Sequence, residues 1–383
     1  MATFEYSKYV TGKNNIGRKS EAVIMANLIS QGENICLCEP PKSGKTSLIQ
    51  QTLYNMRLDG KQLAIASVSF LSLRESSDLL CAIADAALKL SANSPSEFAS
   101  LIKELLEGTH FVFDPQVYSA SGKIVSTNWE LDENDIRAIL RLPRKLALRN
   151  AQKMLFVIDD FQTISLADPS DKILRIWEQE CAAVPSENRS AMSWLFCGSL
   201  FNAMMDIFAV KRFFYRHVTR VELKPVDEKE IVEHMVKGFL STGKVIEREL
   251  MAGACKLLRG NLWYMNHLCA ICDSLTKGFI MEPTLVESLE MLTAIHEPRF
   301  VAAVSDLTNF QTRLLRAIID GHTQFSSSEI IRTYGLNSSA NVKRLKDALV
   351  KKEIVSFDDD DTPRLLDPLF EYWLTKYYFE IQK

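Results

Sequence analysis

The stretch from Leu37 to Leu48 constrains this chain more than any other. It reads Leu-Cys-Glu-Pro-Pro-Lys-Ser-Gly-Lys-Thr-Ser-Leu, and Gly44-Lys45-Thr46 closes a phosphate-binding loop of the form G-x-x-x-x-G-K-S/T. The run Asn34–Cys38 ahead of it suits a buried parallel strand, and residues 46–53 behind it suit a helix. Strand, loop and helix in that order aim the backbone N–H groups of residues 42–46 inward at a helix N-terminus, where the dipole favours an anion. Lys45 then reaches the β- and γ-phosphates of a nucleotide, and the Thr46 hydroxyl ligates Mg2+. Pro41, Lys42, Ser43, Gly44 and Ser47 complete the cradle. One position departs from the pattern. Glu39 stands where the first glycine belongs, and it brings negative charge near phosphates unless its side chain turns out to solvent. The plainer alternative is a Lys-Ser-Gly-Lys turn that holds no ligand.

Length and composition frame this motif. A chain of 383 residues has room for about two or three domains and an ample core. Its net charge of −3 announces no nucleic-acid or membrane partner. No basic segment followed by an apolar one opens the chain, and no apolar run is long enough to span a bilayer, so the cytoplasm is the expected location. The eight cysteines are scattered, as reduced thiols are. Cys269 and Cys272 lie in a helical pattern without a second pair at metal-ligand spacing and read as core thiols.

The second decisive segment is the apolar run Met154-Leu155-Phe156-Val157-Ile158, closed by Asp159-Asp160-Phe161-Gln162. Acids at the carboxyl end of a buried strand are how a phosphate-loop protein sets a carboxylate beside its nucleotide. Asp159 is the candidate Mg2+ ligand, acting through a coordinated water, and Asp160 the candidate base or water-positioning group. Another buried strand is expected at Gln62–Phe70, with Ser76 capping the helix after it, and a further strand at Met192–Cys197, ending at Gly198-Ser199. Ser199 is either a γ-phosphate sensor or a small residue that permits the turn. Residues 91–131 read as an insertion, helical at Phe98–Leu106 and irregular or hairpin-like around Ser119–Lys123. In the segment Val210–Arg216, Arg212 or Arg216 is a candidate arginine finger; the alternative is guanidinium stems packed on aromatic rings.

From Asp227 to about His296 the pattern is helical, with Trp263-Tyr264 either abutting an adenine or packing in a helix core. From Ser305 onward, three short helices and a hairpin compose a winged helix-turn-helix. Lys343, Arg344, Lys346 and Lys351 on its third helix favour phosphates, whereas Asp358–Asp361 at the wing tip oppose them. The partner of this module is therefore DNA or another protein.

Taken together, the Ile-Gly-Arg-x-x-Glu segment from Ile16, the phosphate loop, the Val-Ile-Asp-Asp-Phe-Gln strand end and the tail Asp367–Leu374 resemble the archaeal-type ATPases of prokaryotes. Those are AAA+-related phosphate-loop proteins near the STAND class and the origin-recognition ATPases. The resemblance spans nearly the whole chain. It implies an α/β fold, a P-loop NTPase parallel sheet of the AAA+/ASCE type, followed by a helical lid and a C-terminal winged helix. The boundaries it suggests are 1–224, 225–300 and 301–383. It implies ATP and Mg2+ as cofactors, Lys45 and Thr46 at the phosphates, Asp159 at the metal and Arg18 near the base, with oligomers possible. Asp160 stands where the family has Glu, and Leu262 where its lid carries Pro. A base one methylene shorter displaces the attacking water, so binding is better founded than fast turnover. The expected function is a nucleotide-dependent switch with slow Mg-dependent ATP hydrolysis. The alternative is a catalytically weak nucleotide-binding regulator.

Overall fold

The computed structural model describes residues 4–209 and 212–381; Val210 and Lys211, which open the candidate finger segment, lie outside them. Cα packing divides the described residues into two compact units.

The first unit, Ser20–Glu39 with Gln51–Leu223, is built on a five-stranded sheet. Its strands are β1 (Asn34–Cys38), β2 (Ala64–Ser69), β3 (Met154–Asp159), β4 (Met192–Gly198) and β5 (Val218–Arg220), in the order β2-β3-β4-β1-β5. Every neighbouring pair is parallel. β1 and β4 are buried along their whole length, as expected of strands covered on both faces. The register sets Ser69 opposite Asp159, Ile158 opposite Phe196 and Cys38 opposite Gly198. The carboxyl ends of β1, β2, β3 and β4 therefore finish along one edge, the edge at which open parallel sheets bind ligands.

Helices α1 (Lys19–Gln31), α2 (Lys45–Leu58), α3 (Ser76–Leu88), α4 (Glu133–Arg149) and α5 (Lys172–Ala182) follow, with α4 packed on both α3 and α5. Ser76 is not the cap of α3. Glu75 holds that position without a side-chain bond, and the Ser76 hydroxyl donates to the Ala167 carbonyl at 2.7 Å. The segment around Ser119–Lys123 is not a hairpin turn either. Pro115–Ser121 is a helix lying, in sequence, between the antiparallel strands Phe111–Val112 and Ser126–Thr127. Local signals outweigh its serine and glycine content: Asp114 caps the helix, Pro115 starts it, and Gly122 ends it in the left-handed region. The insertion packs Phe98, Leu101, Phe111 and Ile124 into the same core as the sheet.

The second unit gathers the chain up to Lys19, the loop Pro40–Gln50 and everything described from Lys224 onward. It holds α6 (Glu228–Ser241), α7 (Arg248–Leu257), α8 (Leu262–Leu275) and α9 (Glu282–Ser305). The helical pattern is interrupted by a short parallel pair, Val245–Ile246 with Phe279–Ile280. The winged helix comprises α10 (Asn309–Ile319), α11 (Ser328–Tyr334), α12 (Ser339–Lys351), an antiparallel hairpin of Val355–Phe357 with Pro363–Leu365, and α13 (Pro368–Trp373). Phe239, Leu268, Phe300, Leu314, Leu349 and Leu369 share one core, so the helices after Asp227 and the winged module are packed together.

Asp135 is the buried carboxylate that anchors the insertion to α4. It accepts the backbone N–H groups of His110 and Asp132, each at 2.8 Å, and its Oδ2 lies 2.8 Å from His110 Nδ1. Asp135→Ala leaves those donors without their acceptor, and the expected cost is about 1–3 kcal/mol for each group that stays dry. Urea unfolding measures the loss, and a midpoint equal to wild type would contradict it.

Candidate nucleotide-binding site

The loop after β1 has the backbone of an anion cradle. Lys42 (φ 63°) and Gly44 (φ 98°) both lie at positive φ with Ser43 between them, an alternation that makes neighbouring N–H groups converge. α2 begins at Lys45, and its first intrahelical bond runs from the Leu48 N–H to the Gly44 carbonyl at 2.9 Å. The Lys45 ammonium is buried and donates to the Pro40 carbonyl at 2.9 Å, so this lysine folds back over the loop. The Ser43 hydroxyl is buried without a protein partner, as a group reserved for a ligand would be. Thr46 is exposed in the first turn of α2, next to Ser47, whose hydroxyl accepts the Val10 N–H at 3.1 Å. Amides turned by such an alternation, with a lysine opening the helix behind them, are a donor set of the kind that holds phosphate oxygens.

Glu39 does not turn out to solvent. It is 9% exposed, and its Oε1 accepts the Leu223 N–H at 3.0 Å. The reason is sheet geometry. β5 pairs with β1 only as far as Arg220 opposite Cys36, and the Glu39 carboxylate continues the ladder by side chain where the backbones part. Nor does the position demand glycine, because Glu39 is not among the residues at positive φ.

At the sheet edge, Asp159 is exposed and its Oδ1 accepts the Asp160 N–H at 3.0 Å. Asp160 is in the left-handed region (φ 54°) and is held from two sides. The Ser69 hydroxyl donates to its Oδ2 at 3.0 Å, and Gln162 Nε2 lies 3.5 Å from its Oδ1. Behind the acids, Phe161 is fully buried, with ring centroids 4.6 Å from Phe196 and 5.7 Å from Trp177. That wedge keeps both carboxylates outward. Gly198 is required by close approach: a Cβ there would lie 2.3 Å from Met204 Cγ and 2.5 Å from Gln162 Oε1. Ser199 follows it, half-buried. Sequence reasoning had given Ser69 and Gln162 no role; a polar residue ending β2 was the only signal for Ser69.

The remaining candidates are occupied by local contacts. The Arg18 guanidinium donates to the Lys224 carbonyl, and the Gly17 N–H donates to Glu230 Oε1 at 3.0 Å. Arg212 pairs with Asp206 and lies over Phe213, while Arg216 (φ 65°) sits 5.2 Å from the Tyr215 ring centroid. Both arginines show the ring packing that stood as the alternative to a finger. Lys42 reaches the Trp263 ring, its ammonium 3.4 Å from the centroid, and Trp263 Nε1 donates to the Tyr6 carbonyl at 2.6 Å. Next to it, the Tyr264 hydroxyl lies 2.9 Å from each oxygen of Asp367, and burial raises its pKa well above the usual phenol range.

In fold, the chain is similar to the Walker-type ATPase paby2304 of Pyrococcus abyssi, with a TM-score of 0.65 at 14% identity over 97% of this chain and 99% of that one. It is also similar to the ORC2 protein of Aeropyrum pernix. The ADP form gives a TM-score of 0.53 at 12% identity, and the ADPNP-ADP complexes give 0.50 at 14%, each over 96% of this chain and 93% of that one. Residues 298–376 match the model of a probable winged helix domain. The fold is that of a Walker-type ATPase ending in a winged helix. The architecture implied by the sequence resemblance is thus present: a parallel P-loop sheet, a helical region and a winged helix. No curated protein matches the sequence. Among the described residues, no helix is long and apolar enough to cross a membrane.

Glu39→Ala removes the acceptor of the Leu223 N–H, and the expected loss of stability is about 1–3 kcal/mol, whereas Glu39→Gln keeps an acceptor and most of it. Thermal melts of the two variants check this; equal melting temperatures would assign Glu39 no such role.

Proposed function

We propose that this chain binds ATP with Mg2+ and acts as a nucleotide-dependent switch with slow hydrolysis. The observation that carries the reading is the phosphate loop itself, with residues 42 and 44 at positive φ, a buried lysine at 45 and an unpartnered Ser43 hydroxyl at the start of α2. The acids that finish β3 lie along the sheet edge at which β1 also ends. The ORC2 structures that share the fold are ADP and ADPNP-ADP forms, in keeping with an adenine nucleotide here.

In this reading Lys45 and the amides of residues 42–46 hold the phosphates, with Pro41 and Ser47 in the loop and Arg18 near the base. Thr46 and Asp159 hold Mg2+, which supplies charge neutralisation to the phosphates when bound. Asp160, oriented by Ser69 and Gln162, positions the attacking water. Ser199 senses the γ-phosphate, and Arg216 is the candidate finger. Residues 1–224 form the ATPase core, 225–300 the lid and 301–383 the winged helix. Because the Glu39 carboxylate is engaged by Leu223, the loop's departure from consensus does not set a free carboxylate against the phosphates.

A second reading, a regulator acting through a protein partner with little turnover, draws on the winged helix. Lys346 on α12 is paired with Asp361 of the wing and lies 4.2 Å from the Phe357 ring centroid, which removes one cation from a phosphate-facing surface. Phosphate release measured with and without DNA separates the readings.

Two substitutions test the site. Lys45→Ala removes a charge-assisted contact and should weaken ATP binding by about 1.5–3 kcal/mol in calorimetry; unchanged affinity would defeat the assignment. Asp160→Asn should spare binding and abolish phosphate release, and wild-type turnover in that variant would take Asp160 out of the mechanism.

A further inference from the structure

Lys45 and Lys42 leave the same loop in different directions. Lys45 folds back onto the Pro40 carbonyl, whereas the Lys42 ammonium lies on the face of Trp263, 3.4 Å from the ring centroid. Trp263 is itself fixed. Its indole N–H donates to the Tyr6 carbonyl at 2.6 Å, and its ring centroid is 5.4 Å from those of both His267 and His296. The next residue along α8, Tyr264, holds the Asp367 carboxylate at 2.9 Å. Asp367 also pairs with Arg299 at 2.7 Å and caps α13 through the Leu369 and Phe370 N–H groups. Two consecutive residues of one helix thus hold a cation of the phosphate loop and the carboxylate that opens the last α-helix of the winged module.

The charges in this cluster are coupled. Burial first, then the like charge of Arg299, draws the Lys42 ammonium below its ordinary pKa, with Asp367 opposing. His296 is pushed down to about 4, by burial and then by Arg299, Lys42 and His267 against Asp367, and so adds no positive charge at neutral pH. The indole face offers the ammonium a quadrupole and no hydrogen-bond acceptor, whereas a phosphate offers it charge-assisted hydrogen bonds, which are stronger.

We propose that Lys42 distinguishes nucleoside triphosphate from diphosphate, its ammonium exchanging between the Trp263 face and the terminal phosphate, with Trp263 as the positioning residue. This rests on the reading of the loop as a nucleotide site. Lys45 and the converging amides bridge the β- and γ-phosphates, and the γ-phosphate, the one group a diphosphate lacks, carries further oxygens that a second cation of the same loop can take. Triphosphate binding therefore frees α8 from the loop and takes from the Arg299–Asp367 pair a cation that repels Arg299 and attracts Asp367, whereas diphosphate leaves both in place. Nucleotide state thereby reaches the winged module through Trp263 and Tyr264.

The test is a double-variant cycle on the full chain, with dissociation constants for Mg–ADPNP and Mg–ADP measured by calorimetry. Trp263→Leu removes the competing ring and should tighten ADPNP by about fivefold while shifting ADP by less than about twofold. Lys42→Met should weaken ADPNP by about tenfold with little effect on ADP, and the double variant should match Lys42→Met. Equal shifts for the two nucleotides in Trp263→Leu, or effects that multiply in the double variant, would overturn the proposal. Should Trp263→Leu fail to fold, Lys42→Met at its exposed position still decides: an unchanged ratio of the two constants also overturns it. Wild-type protein that binds neither nucleotide would instead remove the site reading beneath it.

Discussion

The hydrogen-bonded ladder that β1 shares with β4 and β5 is the constraint on which the rest of the sheet unit depends. A parallel strand buried on both faces cannot slip without stranding its amides, so pairing fixes where each strand stops. Cys38 opposite Gly198 sets the point at which the phosphate loop leaves the sheet, and Ser69 opposite Asp159 sets the acids level with the polar end of β2. Side chains then extend what the backbone begins. Glu39 takes up the Leu223 amide where β5 has ended, and Ser69 takes one oxygen of Asp160 where β2 has ended.

The aromatic core explains why these strand ends are rigid. Phe156, Phe161, Trp177, Trp194, Phe196 and Phe214 pack in mutual contact beneath the acidic edge, with ring centroids between 4.6 and 6.4 Å apart. Asp160 is strained at positive φ between two such anchors, a conformation that persists only where the surroundings over-determine it. Phe161 behind it and Ser69 beside it supply that constraint. In the second unit the corresponding anchor is the Tyr264–Asp367–Arg299 group, which joins α8, α9 and α13 through one shared carboxylate.

Much of this was legible in the chain itself. The apolar runs at β1, β3 and β4, the Gly44-Lys45-Thr46 motif, the paired acids after β3 and the three-helix-plus-hairpin rhythm after Ser305 all depend on residues close in sequence. The helix Pro115–Ser121 was also legible in principle, because its Asp-Pro start and glycine stop are local; serine and glycine content obscured it. Ser69 and Trp263 were a different case. Their roles arise from partners far away in sequence, 91 residues for Ser69 with Asp160 and 257 for the Trp263 indole with the Tyr6 carbonyl, and no local signal names those partners.

By itself, then, the sequence determined the order of elements and the turn-and-helix context of the Gly44-Lys45-Thr46 motif, because hydrophobic period, capping and turn chemistry act over a few residues. Only the tertiary structure decided what Glu39 does, which groups hold Asp160 and where Lys42 rests. Those outcomes depend on which strand ends and helix faces meet, and a carboxylate or an ammonium chooses among partners only once packing has brought them within reach.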